Sequence, residues 1–182
     1  MIPSPVVIVP YNPQWPDSFA HLGRTLRSAL GANALRIDHI GSTAVPGLDA
    51  KPILDVQISV VALEPSAVYR LPLENLGYIF RADNPERTKR YFREAPERPR
   101  THIHVRRAGS WAEQFALFFR DYLREHPHDA HAYATLKYQL AAQHRDNRHA
   151  YTDAKTAFIW EIMQKADQWS QAVGWEAGPT DQ

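Results

Sequence analysis

The feature that most constrains this chain is the stretch of residues 37–60, in which two apolar segments flank a loop rich in glycine and proline. The second segment alternates apolar and polar side chains with the period of two that a β-strand has. Its apolar members are Leu54, Val56, Ile58 and Val60, and its polar members are Asp55, Gln57 and Ser59. The pattern predicts a strand whose apolar face joins the core, so that its polar face is free to carry a functional site.

The loop that precedes this strand has the composition of a phosphate site. The first apolar segment is predicted to be a strand that ends at Gly41 and Ser42. Glycine lets backbone N–H groups approach an anion, and the Ser42 hydroxyl can donate to a phosphate oxygen. Lys51 adds a flexible positive charge near the end of the loop, although a surface lysine with no role fits the sequence equally well. Asp55 is then placed to hold a divalent cation against the same phosphates.

Asp55 itself needs a partner, because a carboxylate within an apolar strand is costly to bury alone. The functional explanation is a cleft in which it is solvated or binds a cation. The structural alternative is that it caps backbone donors of the neighbouring loop.

A second strand is predicted at residues 101–105, where His102 and His104 share one face. Neutral imidazole can bind a metal ion, and its pKa near 6.5 also suits a general base that deprotonates an acceptor hydroxyl. Alternating histidines by themselves are more typical of a strand face that is turned to solvent.

These motifs resemble two related groups of proteins. The Gly-Ser pair, twelve intervening residues and Asp-Val-Gln-Ile resemble the signature of the nucleotidyltransferase superfamily, which includes DNA polymerase beta. The segments HIGSTAVPGL, AKPILD, THIHV and FRDYLREHP resemble more closely the GrpB family, a branch of that superfamily, over residues 9–169. The resemblance implies a mixed sheet with flanking helices, a nucleoside triphosphate as substrate or ligand, and Mg²⁺ as cofactor. It also implies a functional link to dephospho-coenzyme A kinase.

The residue patterns and the resemblance together give candidate roles to particular residues. The catalytic candidates are Asp55, Gln57, His102 and His104, of which Asp55 and His104 are the expected metal ligands. The candidates for binding phosphate are Gly41, Ser42, Lys51, Arg90 and Arg106. Five residues of the helices match family positions and either close over the phosphates or pair with acids of the sheet: Arg120, Arg124, Lys137, Tyr151 and Lys155.

Three functions remain open at this point. The first is transfer of a nucleoside monophosphate from a triphosphate to a hydroxyl acceptor. The second is a non-catalytic nucleotide-binding or regulatory module, because Gln57 stands where the superfamily has a second carboxylate and cannot supply its charge. The third is a metal-dependent hydrolase that uses Asp55, His102 and His104.

The charge distribution favours an anionic ligand. The net charge is only +1, which gives no strong signal for nucleic acid, but residues 81–107 hold nine basic and four acidic side chains. We expect Arg90 and Arg106 to project from this segment into the cleft. The alternative is a solvated, arginine-rich strand face.

Composition also bears on location. The chain has no cysteine, so disulfides and thiolate metal sites are excluded, and a reducing compartment suits it. The apolar run at residues 6–9 is far shorter than the ~20 residues that span a bilayer. The sequence therefore predicts a cytoplasmic protein with no membrane partner.

Periodicity predicts an α+β protein of two parts, a sheet domain over residues 1–107 and a helical part over residues 108–182 that packs on it. Residues 1–5 are predicted to be a loose end, and residues 6–9 a short extended segment. Further strands are expected at 78–80 and 90–93. Helices are expected at 16–30, at 64–77 with a bend at Pro72, and at 110–126, 129–144 and 151–173.

Overall fold

The computed structural model describes residues 5–182, so most of the predicted loose end at residues 1–5 lies outside the described residues. Within this range the chain forms one sheet of five strands. They are β1 (Arg36–Ile40), β2 (Leu54–Val60), β3 (Tyr78–Phe80), β4 (Lys89–Glu94) and β5 (Thr101–Arg107). Their order across the sheet is β1, β2, β5, β4, β3. Only the central β2–β5 pair is parallel, and the other described pairs are antiparallel.

Two helices cover the apolar face of the sheet. They are α1 (Trp15–Leu30) and α2 (Ala67–Asn75). Phe19 and Leu26 of α1 and Tyr69 of α2 pack against Val56 and Ile103 of the central strands. Fully burying a side chain of this size contributes about 1.5–3 kcal/mol, so this layer anchors the central strand pair. The α+β class predicted from the sequence is confirmed.

Four helices follow the sheet, where the sequence predicts three. They are α3 (Trp111–Glu125), α4 (Pro127–Gln143), α5 (Arg148–Ala154) and α6 (Thr156–Val173). The predicted third helix is divided because Asn147 caps α5 through the Ala150 N–H and the chain turns at Lys155. No proline or glycine marks that turn in the sequence.

The helical layer encloses the loop between β1 and β2. Val45 and Leu48 of this loop pack among Tyr122, Tyr133 and Ile162. Ahead of the loop, residues 6–9, predicted to be a short strand or extended segment, form only a bridge between Val9 and Ala50. The loop is therefore fixed on both sides, which gives Gly41 and Ser42 defined positions.

The C-terminal residues return to the outer edge of β1. The Gln182 N–H donates to the Ile37 carbonyl, and the Asp181 carboxylate accepts from the His39 N–H at 2.8 Å. Asp181 also accepts from the buried Arg120 guanidinium at 2.9 Å. An edge strand that is covered in this way presents fewer free backbone groups for pairing with another chain.

Across residues 5–182, no helix has both the length and the apolar character that crossing a bilayer requires.

Candidate functional site

The polar face of the sheet gathers the predicted site residues at its centre. Because β2 and β5 are parallel and in register, Asp55 lies beside His102 and Gln57 beside His104. On the other side of β5, the antiparallel β4 places Tyr91 beside His104. Alternation along each strand therefore puts Asp55, His102, His104 and Tyr91 on one face.

Asp55 joins the two histidines. Its Oδ1 atom lies 3.0 Å from His102 Nδ1 and 3.4 Å from His104 Nε2. The Asp55 side chain keeps 29% of its surface exposed, while those of His102 and His104 keep 9% and 14%. One ligand atom from each of the three residues lies within 4.8 Å of the others. The structure thus brings together the three residues that the sequence singles out as a metal or proton-transfer site.

Burial and hydrogen bonding act in opposite directions on these groups. Burial alone would raise the pKa of Asp55, but hydrogen bonds from His102 and His104 outweigh it and hold the pKa well below its ordinary value. Burial lowers the pKa of His104 to about 4 despite the neighbouring carboxylate. At neutral pH the arrangement is a carboxylate next to a neutral His104 imidazole.

The cluster opens into a cavity of about 440 Å³ between the sheet and the helices. Gly41 and Ser42 form part of one wall, as the sequence predicts for the loop after β1. Basic side chains outnumber acidic ones in the lining, and we call this space the cationic cavity. Its cations are Lys51, Lys89, Lys137, Arg148 and Lys155. Asp55 is the one carboxylate in the described lining, so the cavity has a strong positive bias.

Aromatic rings hold several of these cations. The Lys155 and Lys51 ammonium groups lie 4.8 and 5.4 Å from the centre of the Tyr151 ring. Lys137 lies 4.6 Å from the centre of the Tyr133 ring and is only 2% exposed. Cation–π contacts of this kind stabilise a desolvated ammonium group without neutralising it.

Two lysines of the cavity have lowered pKa values because they are buried. Burial, reinforced by the charge of Lys155, lowers the pKa of Lys137 to about 7. Burial and the same neighbour lower the pKa of Lys51 to about 8. A bound anion would restore these pKa values towards their ordinary range, so proton uptake and anion binding are coupled.

The comparisons with known proteins agree with the motifs. The GrpB protein family matches residues 5–165 of the chain. This chain belongs to the GrpB family. The crystal structure of the conserved protein GrpB from Enterococcus faecalis superposes with a TM-score of 0.81 and 36% identity, over 90% of this chain and 99% of that one. The relationship that the sequence motifs suggest is therefore confirmed.

Curated GrpB-family relatives are longer than this chain. The UPF0157 protein YqkA of Bacillus subtilis is 36% identical over 91% of this chain, which spans 48% of YqkA. The UPF0157 protein PA4798 of Pseudomonas aeruginosa is 39% identical over 88% of this chain, which spans 67% of that protein. A dephospho-CoA kinase of Mycobacterium tuberculosis is 32% identical over 94% of this chain, which again spans 48% of the relative.

Gln57, predicted as a catalytic residue, does not reach the cationic cavity of this GrpB-family protein. Its side chain is fully buried, and its Oε1 atom accepts a 2.6 Å hydrogen bond from Arg106 Nη1. Its Nε2 atom donates to the Glu113 carbonyl at 3.3 Å. Arg106, predicted to bind phosphate, is thereby turned towards Gln57, although it lies on the expected face of the sheet. Both residues connect β2, β5 and α3 instead of lining the cavity.

The expectation that Arg90 projects into the cleft is wrong. Arg90 pairs with Val105 in the sheet register, which places it on the opposite face from the cavity. Its guanidinium forms an ion pair with Glu64 at 2.8 Å. Lys89 and Tyr91, its two neighbours in sequence, lie on the face of β4 that is turned to the cavity.

Several lining residues come from helices. Lys137, Tyr151 and Lys155 match family positions and do reach the cavity. Arg120 instead pairs with Asp181 and Asp121, and Arg124 donates to the Ala44 carbonyl. Five charged or aromatic lining residues are not among the predicted site residues: Lys89, Tyr91, Phe119, Tyr133 and Arg148. The alternation of side chains along the predicted strand at residues 90–93 could have placed Lys89 and Tyr91 on the cavity face. No local sequence pattern marks the other three.

Proposed function

We propose that this GrpB-family protein binds a nucleoside triphosphate, or a closely related phosphorylated small molecule, in the cationic cavity. The observation that supports this most is the charge balance of the lining, five basic side chains against the single carboxylate of Asp55. Of these five, only Lys89 forms an ion pair among the described residues, with Glu86. Desolvated cations are costly unless an anion compensates them. A ligand with several negative charges meets that requirement, whereas a neutral ligand leaves the other four cations without a counter-charge.

The shape and the aromatic walls of the cavity support a nucleotide in particular. A volume of about 440 Å³ lies within the usual range of about 300–1,000 Å³ for small-molecule sites. Phe119 and Tyr91 offer ring surfaces, and stacking of a base on an aromatic ring contributes about 1–3 kcal/mol. The Gly41–Ser42 turn supplies a hydroxyl and backbone N–H groups for a phosphate.

Nucleotidyl transfer is the more specific function, and the Asp55–His102 pair favours it. In such a reaction the oxygen of an acceptor hydroxyl forms a bond to the α-phosphorus, and the bond to pyrophosphate breaks. The hydroxyl proton passes to the His102 imidazole, whose positive charge the Asp55 carboxylate then balances. The cationic side chains stabilise the negative charge of the departing pyrophosphate.

A non-catalytic nucleotide-binding module is the second candidate, and the position of Gln57 favours it. An amide already committed to Arg106 and to the Glu113 carbonyl cannot act as the second acidic ligand of a two-metal site. The Mg²⁺ that the family resemblance implies also fits the donor set poorly, since two of the three convergent donors are imidazole nitrogens.

A functional link to dephospho-coenzyme A kinase is part of this proposal. Mycobacterial relatives that carry this name match 94% of the chain, and the chain spans 48% of their length. A module that binds phosphorylated nucleotides is chemically suited to act beside an enzyme named for dephospho-coenzyme A.

Calorimetric titration with ATP and UTP in the presence of a chelator tests the binding proposal. Lys155→Met removes a cavity cation, and Lys165→Met removes one that pairs with Asp129 outside the described lining. We expect Lys155→Met to weaken binding about tenfold, equivalent to about 1.4 kcal/mol, and Lys165→Met to leave it unchanged. Equal affinities in the two variants would contradict the proposal. Pyrophosphate release in the presence of hydroxyl acceptors separates the transferase from the module.

A further inference from the structure

Asp55, His102 and His104 present one oxygen and two nitrogen atoms to a common point at the edge of the cationic cavity. The three residues lie on the paired central strands β2 and β5, and their donor atoms are held by regular strand geometry. Gly41 packs against the far oxygen of Asp55, and the Tyr91 ring contacts both imidazoles, with ring centres 5.5 and 5.2 Å apart from them. The donors are therefore positioned before any ligand arrives.

The two separations from the Asp55 oxygen to the histidine nitrogens match those around a small metal ion. Bonds of about 2.0–2.1 Å, as in zinc–imidazole sites, place neighbouring ligand atoms about 3.0–3.4 Å apart. The observed separations from Asp55 Oδ1 are 3.0 Å to His102 Nδ1 and 3.4 Å to His104 Nε2. A metal ion can thus replace the protons that these atoms share, with little movement of the backbone.

The donor types discriminate between metals. Mg²⁺ prefers an octahedral shell of oxygen atoms, whereas imidazole suits zinc, manganese, cobalt and their neighbours. The cluster offers a single carboxylate, and the nearby Gln57 oxygen is occupied by Arg106. We propose that Asp55, His102 and His104 form a site for a divalent transition-metal ion and not for Mg²⁺. Binding at this site should also depend on a bound anion, and only that dependence rests on the proposed function.

That anion dependence follows from the charges around the site. Lys51, Arg148 and Lys155 share the cavity with Asp55 and form no ion pair among the described residues, so a dication that enters without an anion meets like charges. A bound phosphate offsets them. Binding of metal and of phosphate is therefore mutually favourable, and each ligand tightens the other by the same factor.

Visible spectroscopy of Co²⁺ tests the site directly, because a protein site with fewer than six ligands intensifies the cobalt absorption bands and imidazole nitrogen shifts them from those of aqueous Co²⁺. The metal-free full chain is titrated with Co²⁺, first alone and then with inorganic phosphate present, and Mg²⁺ is added last. We expect one equivalent to bind, at least tenfold more tightly with phosphate, and to resist a hundredfold excess of Mg²⁺. Asp55→Asn and His104→Gln should lose the bands. His128→Gln, which changes a fully exposed histidine, should keep them.

Three results would overturn the inference. They are bands that survive in both cluster variants, displacement by an equal concentration of Mg²⁺, and the absence of bands with and without phosphate. The Mg²⁺ competition uses the unaltered protein, so it decides the question even if a variant fails to fold. Nucleotide binding measured in chelator is independent of these results, so failure of the metal site is distinguishable from failure of the proposed function.

Discussion

Gly41 packs directly against Asp55, so that a Cβ atom at position 41 would lie 2.8 Å from Asp55 Oδ2. The backbone there has φ +72° and ψ −172°, a conformation that is essentially restricted to glycine. The glycine of the Gly-Ser pair therefore has two roles. It permits the turn, and it lets the carboxylate approach the loop closely enough to sit between two histidines.

Gly41→Ala should lower both stability and ligand binding. The backbone conformation alone costs about 1–3 kcal/mol for a residue with a side chain, and the new methyl group must displace Asp55. Gly47→Ala is the matched control, because Gly47 has φ +76° but has no atom within 4 Å of an added Cβ among the described residues. Urea unfolding and triphosphate titration of both variants would check this. Equal loss of binding in the two would refute the role of the Gly41–Asp55 contact.

Gln57→Glu should not create a metal site, although the nucleotidyltransferase signature that this segment resembles has a carboxylate at this position. The new carboxylate would keep Arg106 as a partner but would face the Glu113 carbonyl with no proton to donate. A buried acceptor left in this state costs about 1–3 kcal/mol. We expect a lower urea midpoint and unchanged Co²⁺ affinity. A gain of tenfold or more in metal affinity would show that position 57 belongs to the ligand shell.

The alternation of side chains in the sequence predicted the apolar face of the Asp55 strand and put the two histidines on one face of theirs, while the parallel pairing of β2 with β5 in the structure brings Asp55 next to them. The alternation of side chains along β4 also explains why Arg90, expected in the cleft because of its charge, lies on the other face. Phe92 has the same parity and is fully buried on the core face, so Arg90 had to point away from Asp55. A high density of charge locates a basic segment in the sequence. Only the alternation of side chains along the strand shows which residues of that segment share a face.

The helical half of the cavity could not be derived in the same way. Lys137, Arg148 and Lys155 come from three positions on α4, α5 and the turn before α6, and tertiary packing alone brings them to Asp55. Likewise, nothing local in the sequence couples Gln57 to Arg106, although both lie on the polar face of the sheet. The family resemblance identified Lys137 and Lys155 as candidates, but only the structure shows that both line the same cavity.

Anion affinity should fall between pH 7 and pH 9. The free protein loses the charge of Lys137 near pH 7 and that of Lys51 near pH 8, whereas an ordinary lysine keeps its charge up to about pH 10.5. Binding must then restore protons, so titrations at pH 8 in buffers of different ionisation enthalpy should reveal proton uptake. An affinity that stays constant up to pH 9.5 would contradict the account.

The lowered pKa of Lys137 also predicts the direction in which the free energy of unfolding changes with pH. From about pH 7 to about pH 10.5 the unfolded Lys137 holds a proton that the folded one has lost, so the free energy of unfolding should rise with pH. Lys137→Met should flatten this rise. Urea unfolding at intervals of one pH unit measures it, and an identical slope in the variant would refute the assignment to Lys137.

The C-terminal segment should contribute to the stability of the sheet edge. Asp181→Ala removes the acceptor for the His39 N–H and leaves the buried Arg120 guanidinium without one of its carboxylates. We expect a loss of about 1–3 kcal/mol and faster hydrogen exchange at the His39 amide. Asp153→Ala, on an exposed face of α5, is the control. Equal stability and unchanged exchange in the two variants would show that the segment adds nothing to β1.

The most direct test of the central claim is a crystal structure of the protein soaked with a non-hydrolysable nucleoside triphosphate. The account predicts phosphate density in the cationic cavity, next to Ser42 and within hydrogen-bonding distance of Lys51, Lys137 or Lys155. A larger cavity, of about 760 Å³, lies on the other side of the sheet between α1 and β3. Triphosphate bound there, or a cationic cavity that stays empty at saturating ligand, would contradict the account.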